Sequence, residues 1–277
     1  RRRQRQMCIR DSLFATTMAG QPLAWMEAGG LPDEALALRG GNLANVLLEP
    51  VLRKQLAAIN VVQVSSMRTT VFSEQNITAG IDALRNIPMD EGFMEASQTV
   101  YDLLTSGKTL EQIVDGDRKS FVMQYIDWKN PRNNVFHVTE EFAVSRTGMT
   151  DTYRPDIVLF VNGIPLCIIE CKRPDVKDSI EQAISQHLRN QKADGIRSLY
   201  LYSTLLLAIN RQEGSYATTT TPEKFWARWR EQFADREEEA RYRQELERVV
   251  NEPLLDDKLF GERFGYCLLY TSDAADD

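Results

Sequence analysis

The sequence predicts a mixed α/β fold in which a central β-sheet is flanked by helices, with a mainly helical part on its N-terminal side. Apolar or alternating runs typical of strands crowd the segment 119–211, and a helical pattern interrupts them at 179–191. Upstream, residues 42–106 show mostly helical spacing of their apolar side chains. Strands followed by a helix and then by further strands favour a mixed sheet covered by helices.

In the N-terminal part, Asn42 is the expected cap of a helix from Leu43 to Ile59, whose apolar side chains recur at helical spacing. Residues 61–72 have the composition of a strand or of a strand pair. Three further segments are expected to be helical, namely 77–85, 91–104 and 109–114.

The second half of the chain is expected to supply the sheet. Strands are predicted over 119–127 and 134–146, with a turn between them. After a central hairpin, Asp178 is the expected cap of a helix from Ser179 to Gln191. The later expectations are strands at 199–202 and 205–210, an edge strand at 216–221, and a helix that begins at Pro222 and ends near Phe233.

One stretch, RPDIVLFVNGIPLCIIECKRP at 154–174, reads as two apolar strands joined at Asn162-Gly163. Asn-Gly between two β-branched runs is among the strongest short-range signals for a hairpin. Asp156 stands at the start of the first strand, and Glu170 and Lys172 stand at the end of the second. These ionisable groups border a run that looks buried on both faces. Charges in such a place need a partner, and a divalent metal ion is the usual one.

The register of this hairpin decides whether the three ionisable residues share a face. Glu170 and Lys172 do so, because side chains alternate along a strand. A plain two-residue turn pairs Asp156 with Ile169 and points it away from Glu170. A three-residue loop, in which Gly163 forms a G1 bulge, brings Asp156 onto the face of Glu170. A shared site therefore requires a bulged or bent hairpin, and we predict one.

The order P-D, a spacer and then E-x-K resembles the pattern of PD-(D/E)xK nucleases. The longer string RPDIVLFVNGIPL…IECKRP is similar to the N-terminal nuclease domain of the restriction (R) subunit of type I restriction-modification enzymes. The segments LLEPVLRKQLAAIN, QYIDWKNPRNNVFHVTEEFAV and GSYATTTTPEKFWARW extend the resemblance to about residues 42–229. The resemblance implies a restriction-endonuclease-like core that cleaves double-stranded DNA with Mg²⁺.

Phosphodiester hydrolysis needs an activated water, charge relief at the phosphate and a protonated leaving oxygen. Asp156 and Glu170 can hold Mg²⁺ through carboxylate oxygens, and the main-chain carbonyl of Cys171 can supply another ligand. Mg²⁺ there polarises the phosphate and lowers the pKa of its water. Lys172 would orient or deprotonate that water, or stabilise charge in the transition state. Nucleases of the family often add an acid from an early helix, and Glu49 is the nearest candidate. The alternative reading is an ion-pair cluster without chemistry.

The helix after the hairpin carries candidates for contact with DNA. Nucleases of the resembling family have a Q-x-x-x-Y pattern here; Gln186 matches its glutamine, while Asn190 stands where the tyrosine is expected. Gln186 is expected to contact a phosphate or a water on the metal, with a solvated side chain as the alternative. Arg173, Arg189 and Lys192 are candidate phosphate contacts, and ordinary surface charge is the alternative for each.

The two ends of the chain are related at the level of the DNA that encodes them. DNA encoding Met7–Ser12 can be the reverse complement of DNA encoding Cys267–Ser272. We therefore expect residues 1–12 and 267–277 to derive from a sequencing adapter, and the chain to be an internal fragment. The alternative is a basic N-terminal arm and an acidic tail.

Residues 13–233 are then expected to form one nuclease domain, in which residues 13–39 are a lead-in. Residues 234–266 are expected to be a charged helical linker, which in the resembling family leads to an ATP-driven motor. No G-x-x-x-x-G-K-[ST] phosphate loop occurs in the sequence. The motor, and the need for ATP, are therefore expected to lie outside this chain.

Composition argues against several other classes of protein. Four Cys and two His in 277 residues disfavour a disulfide framework, a histidine-rich metal site and a Ser-His-Asp triad. The formal net charge of −7 argues against a free-standing, avid DNA-binding protein. No apolar run approaches the roughly 20 residues of a membrane span, and the cysteine usage favours the cytoplasm. Cys167 and Cys171 are expected to be small buried apolar residues, and His137 and His187 to serve packing or face solvent.

The predicted function is Mg²⁺-dependent endonucleolytic cleavage of double-stranded DNA. The resemblance implies the methylation and specificity subunits of a type I restriction complex as partners, with the specificity subunit recognising the DNA sequence. Two alternatives stay open. One is a non-catalytic module of the same fold that docks partner subunits, which cleavage assays with Lys172→Ala would separate. The other is a PD-(D/E)xK nuclease of repair or recombination, which the uninterrupted reading frame would separate.

Overall fold

In the computed structural model of the chain, the described residues are 46–65, 68–173, 175–210 and 213–229, with positions 236, 237, 240, 241 and 244. The expected adapter-derived ends, the lead-in, the predicted cap Asn42 and most of the expected linker lie outside these residues. Within the described part, the helices are all too short or too polar to cross a lipid bilayer.

The N-terminal part contains three helices and a small strand pair. Helix α1 covers Glu49–Ile59. Strands β1 (Val61–Ser65) and β2 (Arg68–Val71) pair antiparallel, so of the two predicted alternatives for this segment the strand pair forms. Helices α2 (Glu74–Arg85) and α3 (Phe93–Ser106) follow, close to their predicted bounds.

A second hairpin stands where the sequence predicts a turn of helix. Strands β3 (Lys108–Val114) and β4 (Asp117–Met123) pair antiparallel in a two-stranded sheet of their own. The prediction of helix over 109–114 is therefore wrong. The connection is Asp115-Gly116, whose φ angles of 57° and 87° are those of a tight hairpin turn. Burial alternates along β3, as in a strand with one covered face.

The central element is a six-stranded mixed sheet. Strand β5 covers Phe136–Glu140, and a separate two-stranded sheet of β6 (Val144–Ser145) and β7 (Thr152–Tyr153) follows it. The remaining strands are β8 (Ile157–Val161), β9 (Ile164–Cys171), β10 (Leu205–Ile209), β11 (Gly214–Ala217) and β12 (Ala227–Arg228). The order across the central sheet is β12-β11-β10-β9-β8-β5. Only the β9–β10 neighbours in it are parallel, so the predicted mixed α/β class is confirmed.

Helix α4 (Ser179–Asn190) connects β9 to β10 and packs its apolar face against Ala208. Asp178 precedes it as predicted, but with φ at 52° and no side-chain hydrogen bond to the helix end. A short helix, α5 (Arg197–Tyr200), stands where the sequence predicts a strand at 199–202. A short apolar run is compatible with either element, and here the helical one forms.

The end of the described part also differs from expectation. A 3-10 helix covers Glu223–Phe225 and leads into β12, so a helix from Pro222 does not form over residues 222–229. Strand β12 is the sheet edge, whereas β11 is paired on both sides. Tyr216 and Trp229 pack edge-to-face with ring centroids 5.5 Å apart. This aromatic contact across the strand pair favours sheet over helix.

Both faces of the central sheet are covered, which explains the continuous apolar runs in β8 and β9. On one face, Val158, Phe160 and Ile168 pack in a core shared with the N-terminal helices. On the other face, a smaller cluster contains Cys167 and Cys171, which are buried and free of disulfide bonds. The prediction that both cysteines are small buried apolar residues is confirmed.

Candidate active site

The turn of the β8–β9 hairpin has two residues, Asn162 and Gly163, with φ angles of 52° and 83°. Asn162 is fully buried, and its amide donates to the Tyr125 carbonyl at 3.0 Å and to Asn134 Oδ1 at 2.8 Å. Its side-chain oxygen accepts the N–H of Val135 at 2.9 Å. These contacts fix a two-residue turn of the primed type. The predicted three-residue loop is therefore wrong.

The predicted bulge is present, but further along β9. Phe160 pairs with Pro165 and Leu159 pairs with Cys167, so Leu166 is the extra residue. Pro165 has no N–H to donate to the ladder, and sheets tolerate proline mainly at bulges and edges. The predicted bulge is thus confirmed, but at a different position, beside a proline that has no N–H to donate to the neighbouring strand.

Beyond the bulge, Ile157 pairs with Ile169, and the next positions along the ladder set Asp156 opposite Glu170. The two acids therefore share a face of the sheet, as the sequence predicts. Both are buried, with 3% of Asp156 and 0% of Glu170 exposed. Asp156 Oδ2 accepts the main-chain N–H of Cys171 at 2.8 Å, which holds this carboxylate beside the strand that carries Glu170.

Lys172 completes the cluster on the solvent side. Its Nζ lies 4.0 Å from Glu170 Oε2 and donates to Gln186 Oε1 at 2.9 Å. The same amine lies 3.3 Å from the main-chain oxygen of Cys171, so this carbonyl faces the cluster. Gln186 Nε2 donates to Glu170 Oε2, which makes Gln186 a bridge between the acid and the amine. The Lys172 side chain is 21% exposed, so the cluster opens to solvent at this residue.

Two buried groups behind the carboxylates have shifted pKa values. Burial lowers the pKa of His187 to about 4; the hydrogen bond to the Leu207 carbonyl opposes this shift, and the charge of Lys172 adds to it. Burial raises the pKa of Tyr200, and the negative charge of Glu170 raises it further. Both side chains are therefore neutral at pH 7. Sequence reasoning did not place Tyr200 near the acids, and no local pattern links it to Glu170.

The three predicted phosphate contacts are exposed on the surface. Arg173 is exposed and ion-paired with Asp175. Arg189 is exposed, and its guanidinium lies 5.2 Å from the centre of the Tyr153 ring, just before the first acid in the chain. Lys192 is exposed at the end of the same helix. Arg189 thus lies beside Tyr153, three residues before Asp156, while a carboxylate already neutralises Arg173.

Glu49 does not belong to this cluster. Its carboxylate pairs with Arg53 at 3.1 Å and also with Arg85. The preceding residue, Leu48, donates its N–H to the Gly163 carbonyl at 2.8 Å, which places Glu49 at the turn end of the hairpin. Glu170 lies about 20 Å away along β9 at the usual rise per residue. The suggestion of Glu49 as the early-helix acid is therefore wrong.

The donor set of the cluster suits a hard divalent cation. Asp156, Glu170 and the Cys171 carbonyl offer oxygen atoms, and Mg²⁺ is commonly held by one or two carboxylates while it keeps several waters. The Cys171 sulfur lies in the core on the opposite face of the sheet. Among the described residues, no group of three or more His, Cys, Asp or Glu side chains is placed to hold a metal ion, and this cluster has two such side chains. The cluster could hold Mg²⁺ with two side chains and one main-chain oxygen.

Residues 25–225 match the family described as type I restriction enzyme R protein N terminus. The type I restriction enzyme HindI endonuclease subunit of Haemophilus influenzae is 28% identical over 193 residues, which are 68% of this chain and 17% of that protein. A Methanocaldococcus jannaschii protein assigned as the MjaIXP endonuclease subunit is 32% identical over 122 residues, 44% of this chain and 12% of its own length.

A second Methanocaldococcus jannaschii protein, assigned as the MjaVIIIP endonuclease subunit, is 30% identical over 174 residues, covering 61% of this chain and 15% of that protein. The chain therefore spans less than a fifth of the length of these relatives. The family match covers most of the chain, including the hairpin with its two acids and lysine. The chain belongs to the family of type I restriction enzyme R protein N-terminal regions.

Proposed function

We propose that this chain is the nuclease part of a type I restriction R subunit and that it hydrolyses phosphodiester bonds of double-stranded DNA with Mg²⁺. One observation carries the proposal: Asp156, Glu170 and Lys172 converge at one end of β8 and β9, next to the Cys171 carbonyl. We further propose that the mixed sheet is a PD-(D/E)xK core. Its support is the acid at the start of one strand and the E-x-K sequence at the end of the next, on one sheet face.

Each residue of the cluster has a role in this proposal. Asp156 and Glu170 hold Mg²⁺ together with the Cys171 carbonyl. Bound Mg²⁺ supplies charge relief at the phosphate and a more acidic water. Lys172 borders solvent, where its amine orients the attacking water, takes its proton or stabilises charge in the transition state. Gln186 donates to Glu170 and accepts from Lys172, so it fixes the distance between acid and amine.

DNA is proposed to reach the cluster along the surface of helix α4. Arg189 and Lys192 are exposed on its last turn and beyond, where they can contact phosphates. The relatives are named endonuclease subunits, and a subunit acts within an assembly. We propose that the partners of this chain are the methylation and specificity subunits of a type I complex. In this proposal, ATP is used by a motor outside this chain, and little DNA sequence preference resides here.

The test is cleavage of supercoiled plasmid DNA by the 277-residue chain in Mg²⁺ and in EDTA. We expect Mg²⁺-dependent nicking or linearisation by the wild type, and a rate at least about 100-fold lower for Lys172→Ala. Lys119→Ala is the matched control, because Lys119 is exposed on β4 in a separate sheet. Equal cleavage by both variants would contradict the assigned role of Lys172. Intact plasmid with every protein would favour the docking module instead.

A further inference from the structure

A line of buried polar side chains continues from Glu170 into the core behind the cluster. Asn190 Nδ2 lies 3.5 Å from Glu170 Oε1, and a hydrogen bond from the Asn190 side chain lowers the pKa of the Tyr200 hydroxyl, against the larger effect of burial. This hydroxyl lies 2.9 Å from His187 Nδ1. His187 Nε2 ends the line, 2.9 Å from the main-chain oxygen of Leu207. Asn190 is 1% exposed, and Tyr200 and His187 are fully buried.

Chemistry fixes the direction of the hydrogen bonds at the inner end of this line, at His187 and Tyr200. The Leu207 carbonyl can only accept, so His187 carries its proton on Nε2 and accepts at Nδ1. The Tyr200 hydroxyl therefore donates to His187, and its oxygen accepts from the Asn190 amide. An ionised Glu170 also only accepts, so Asn190 turns its NH₂ group towards two acceptors. In this orientation Asn190 Oδ1 is buried and has no hydrogen-bond partner among the described residues, whereas the turned amide would set this oxygen against the ionised Glu170 carboxylate.

The line has a consequence for the acid at its end. Glu170 Oε2 accepts from Gln186, and Glu170 Oε1 faces Asn190, so one amide restrains each oxygen. Tyr200 and His187 hold the Asn190 amide in the orientation that presents its NH₂ group. The carboxylate plane is thereby set from inside the core rather than by solvent.

We propose that Asn190, Tyr200 and His187 are positioning residues that orient the Glu170 carboxylate for a divalent cation. This assignment rests on the proposed function, in which Glu170 is a ligand. Groups that orient a ligand in this way typically contribute 10-fold to 100-fold to metal affinity. Their buried hydrogen bonds also stabilise the fold, so the test must separate orientation of the acid from general stability.

The chain offers a matched control in a second buried tyrosine. Tyr202 is 4% exposed, and its hydroxyl donates to the Leu84 carbonyl at 3.0 Å, in contact with helix α2. Tyr200→Phe and Tyr202→Phe each remove one buried hydroxyl, which makes two hydrogen bonds at Tyr200 and one at Tyr202. Only Tyr200 is joined to Glu170 through Asn190. A purely structural role of Tyr200 predicts the same Mn²⁺ affinity in both variants.

The experiment is a titration of the 277-residue chain with Mn²⁺, followed by electron paramagnetic resonance of the free ion, together with thermal unfolding without metal. We expect Tyr200→Phe to weaken Mn²⁺ binding about 10-fold to 100-fold. Tyr202→Phe is expected to keep wild-type affinity, although both variants lower Tm. Equal Mn²⁺ affinity in the two variants would overturn the assignment.

A second variant, Asn190→Ala, removes the amide that faces Glu170 and is expected to weaken Mn²⁺ binding by a similar factor. It decides the question if Tyr200→Phe does not fold, and wild-type affinity in Asn190→Ala would overturn the assignment. Glu170→Ala separates this inference from the proposed function. Wild type and Glu170→Ala with the same Mn²⁺ binding would overturn both. Binding lost in Glu170→Ala but retained in Tyr200→Phe and Asn190→Ala would overturn the positioning role alone.

Discussion

Asp156 has two roles in the proposed site, as a hydrogen-bond acceptor for the Cys171 N–H and as a ligand of Mg²⁺, and a pair of substitutions separates them. Asp156 Oδ2 accepts the buried N–H of Cys171 at 2.8 Å, so Asp156→Ala leaves this N–H without that acceptor. An orphaned buried donor costs about 1–3 kcal/mol of unfolding free energy. Asp156→Asn keeps an oxygen at the same place, so we expect its unfolding free energy to stay within about 1 kcal/mol of wild type. Both variants lose the negative charge that the proposal assigns to Mg²⁺ binding.

Urea unfolding and plasmid cleavage measure these two effects independently. We expect Asp156→Ala to lose stability and cleavage together, and Asp156→Asn to lose cleavage alone. The loss of cleavage should be at least about 100-fold, because a metal ion stabilises the transition state by several kcal/mol. Asp156→Asn with wild-type cleavage would refute the role of Asp156 as a ligand. Asp156→Asn destabilised as much as Asp156→Ala would refute the hydrogen-bond reasoning.

Three other outcomes are expected. Gly163→Ala should lower the unfolding free energy by about 2–4 kcal/mol, because φ is 83° and the new Cβ would lie 2.7 Å from the Leu48 carbonyl oxygen. Gly116→Ala, with φ at 87° in open space, should lower it by only about 1–2 kcal/mol. Equal urea midpoints for the two variants would contradict the steric argument. Arg189→Ala should reduce the slope of log DNA affinity against log salt concentration by about one, with little change in Tm. The charge of Arg146 is paired with Asp151 and Asp194, so Arg146→Ala should lower Tm and leave this slope unchanged. Filter binding at several salt concentrations measures the slopes. Burial lowers the pKa of His187 from 6.5 to about 4, so between these pH values the unfolded chain binds a proton that the folded chain does not bind. As pH falls from 6.5 towards 4, the unfolding free energy of wild type, measured in urea, should fall by up to about 3 kcal/mol relative to that of His187→Gln. Parallel plots of unfolding free energy against pH would show that His187 does not titrate in this way.

The hairpin shows how far sequence reasoning reaches. Alternation along a strand, together with the requirement for a common site, is enough to predict a bulge and a shared face for Asp156 and Glu170. The place of the bulge is not predictable in this way. Asn162 is held by Tyr125, Asn134 and Val135, which come from a distant part of the chain, and this holds the turn at two residues. The extra residue then falls beside a proline, at Leu166.

The wrong assignments of secondary structure have two different causes. At 109–114, a local signal was present, because Asp115-Gly116 between alternating runs is typical of a hairpin. At 199–202, no local signal could decide, since an apolar run of four residues suits a buried strand or a buried helix. Contacts from elsewhere favour the helix there: the Tyr200 carbonyl accepts from the Thr219 hydroxyl, and the Tyr200 ring packs against His187.

The sequence by itself determined the mixed α/β class, the hairpin, and the two acids and one lysine at its open end, because strand periodicity and turn chemistry are local properties. It also marked Gln186 and the departure at Asn190. Only the tertiary structure decided that Glu49 lies at the far end of the strands, and that Tyr200 and His187 stand behind Asn190. These placements depend on how helices pack on the sheet, and side chains far apart in the chain meet only once that packing has formed.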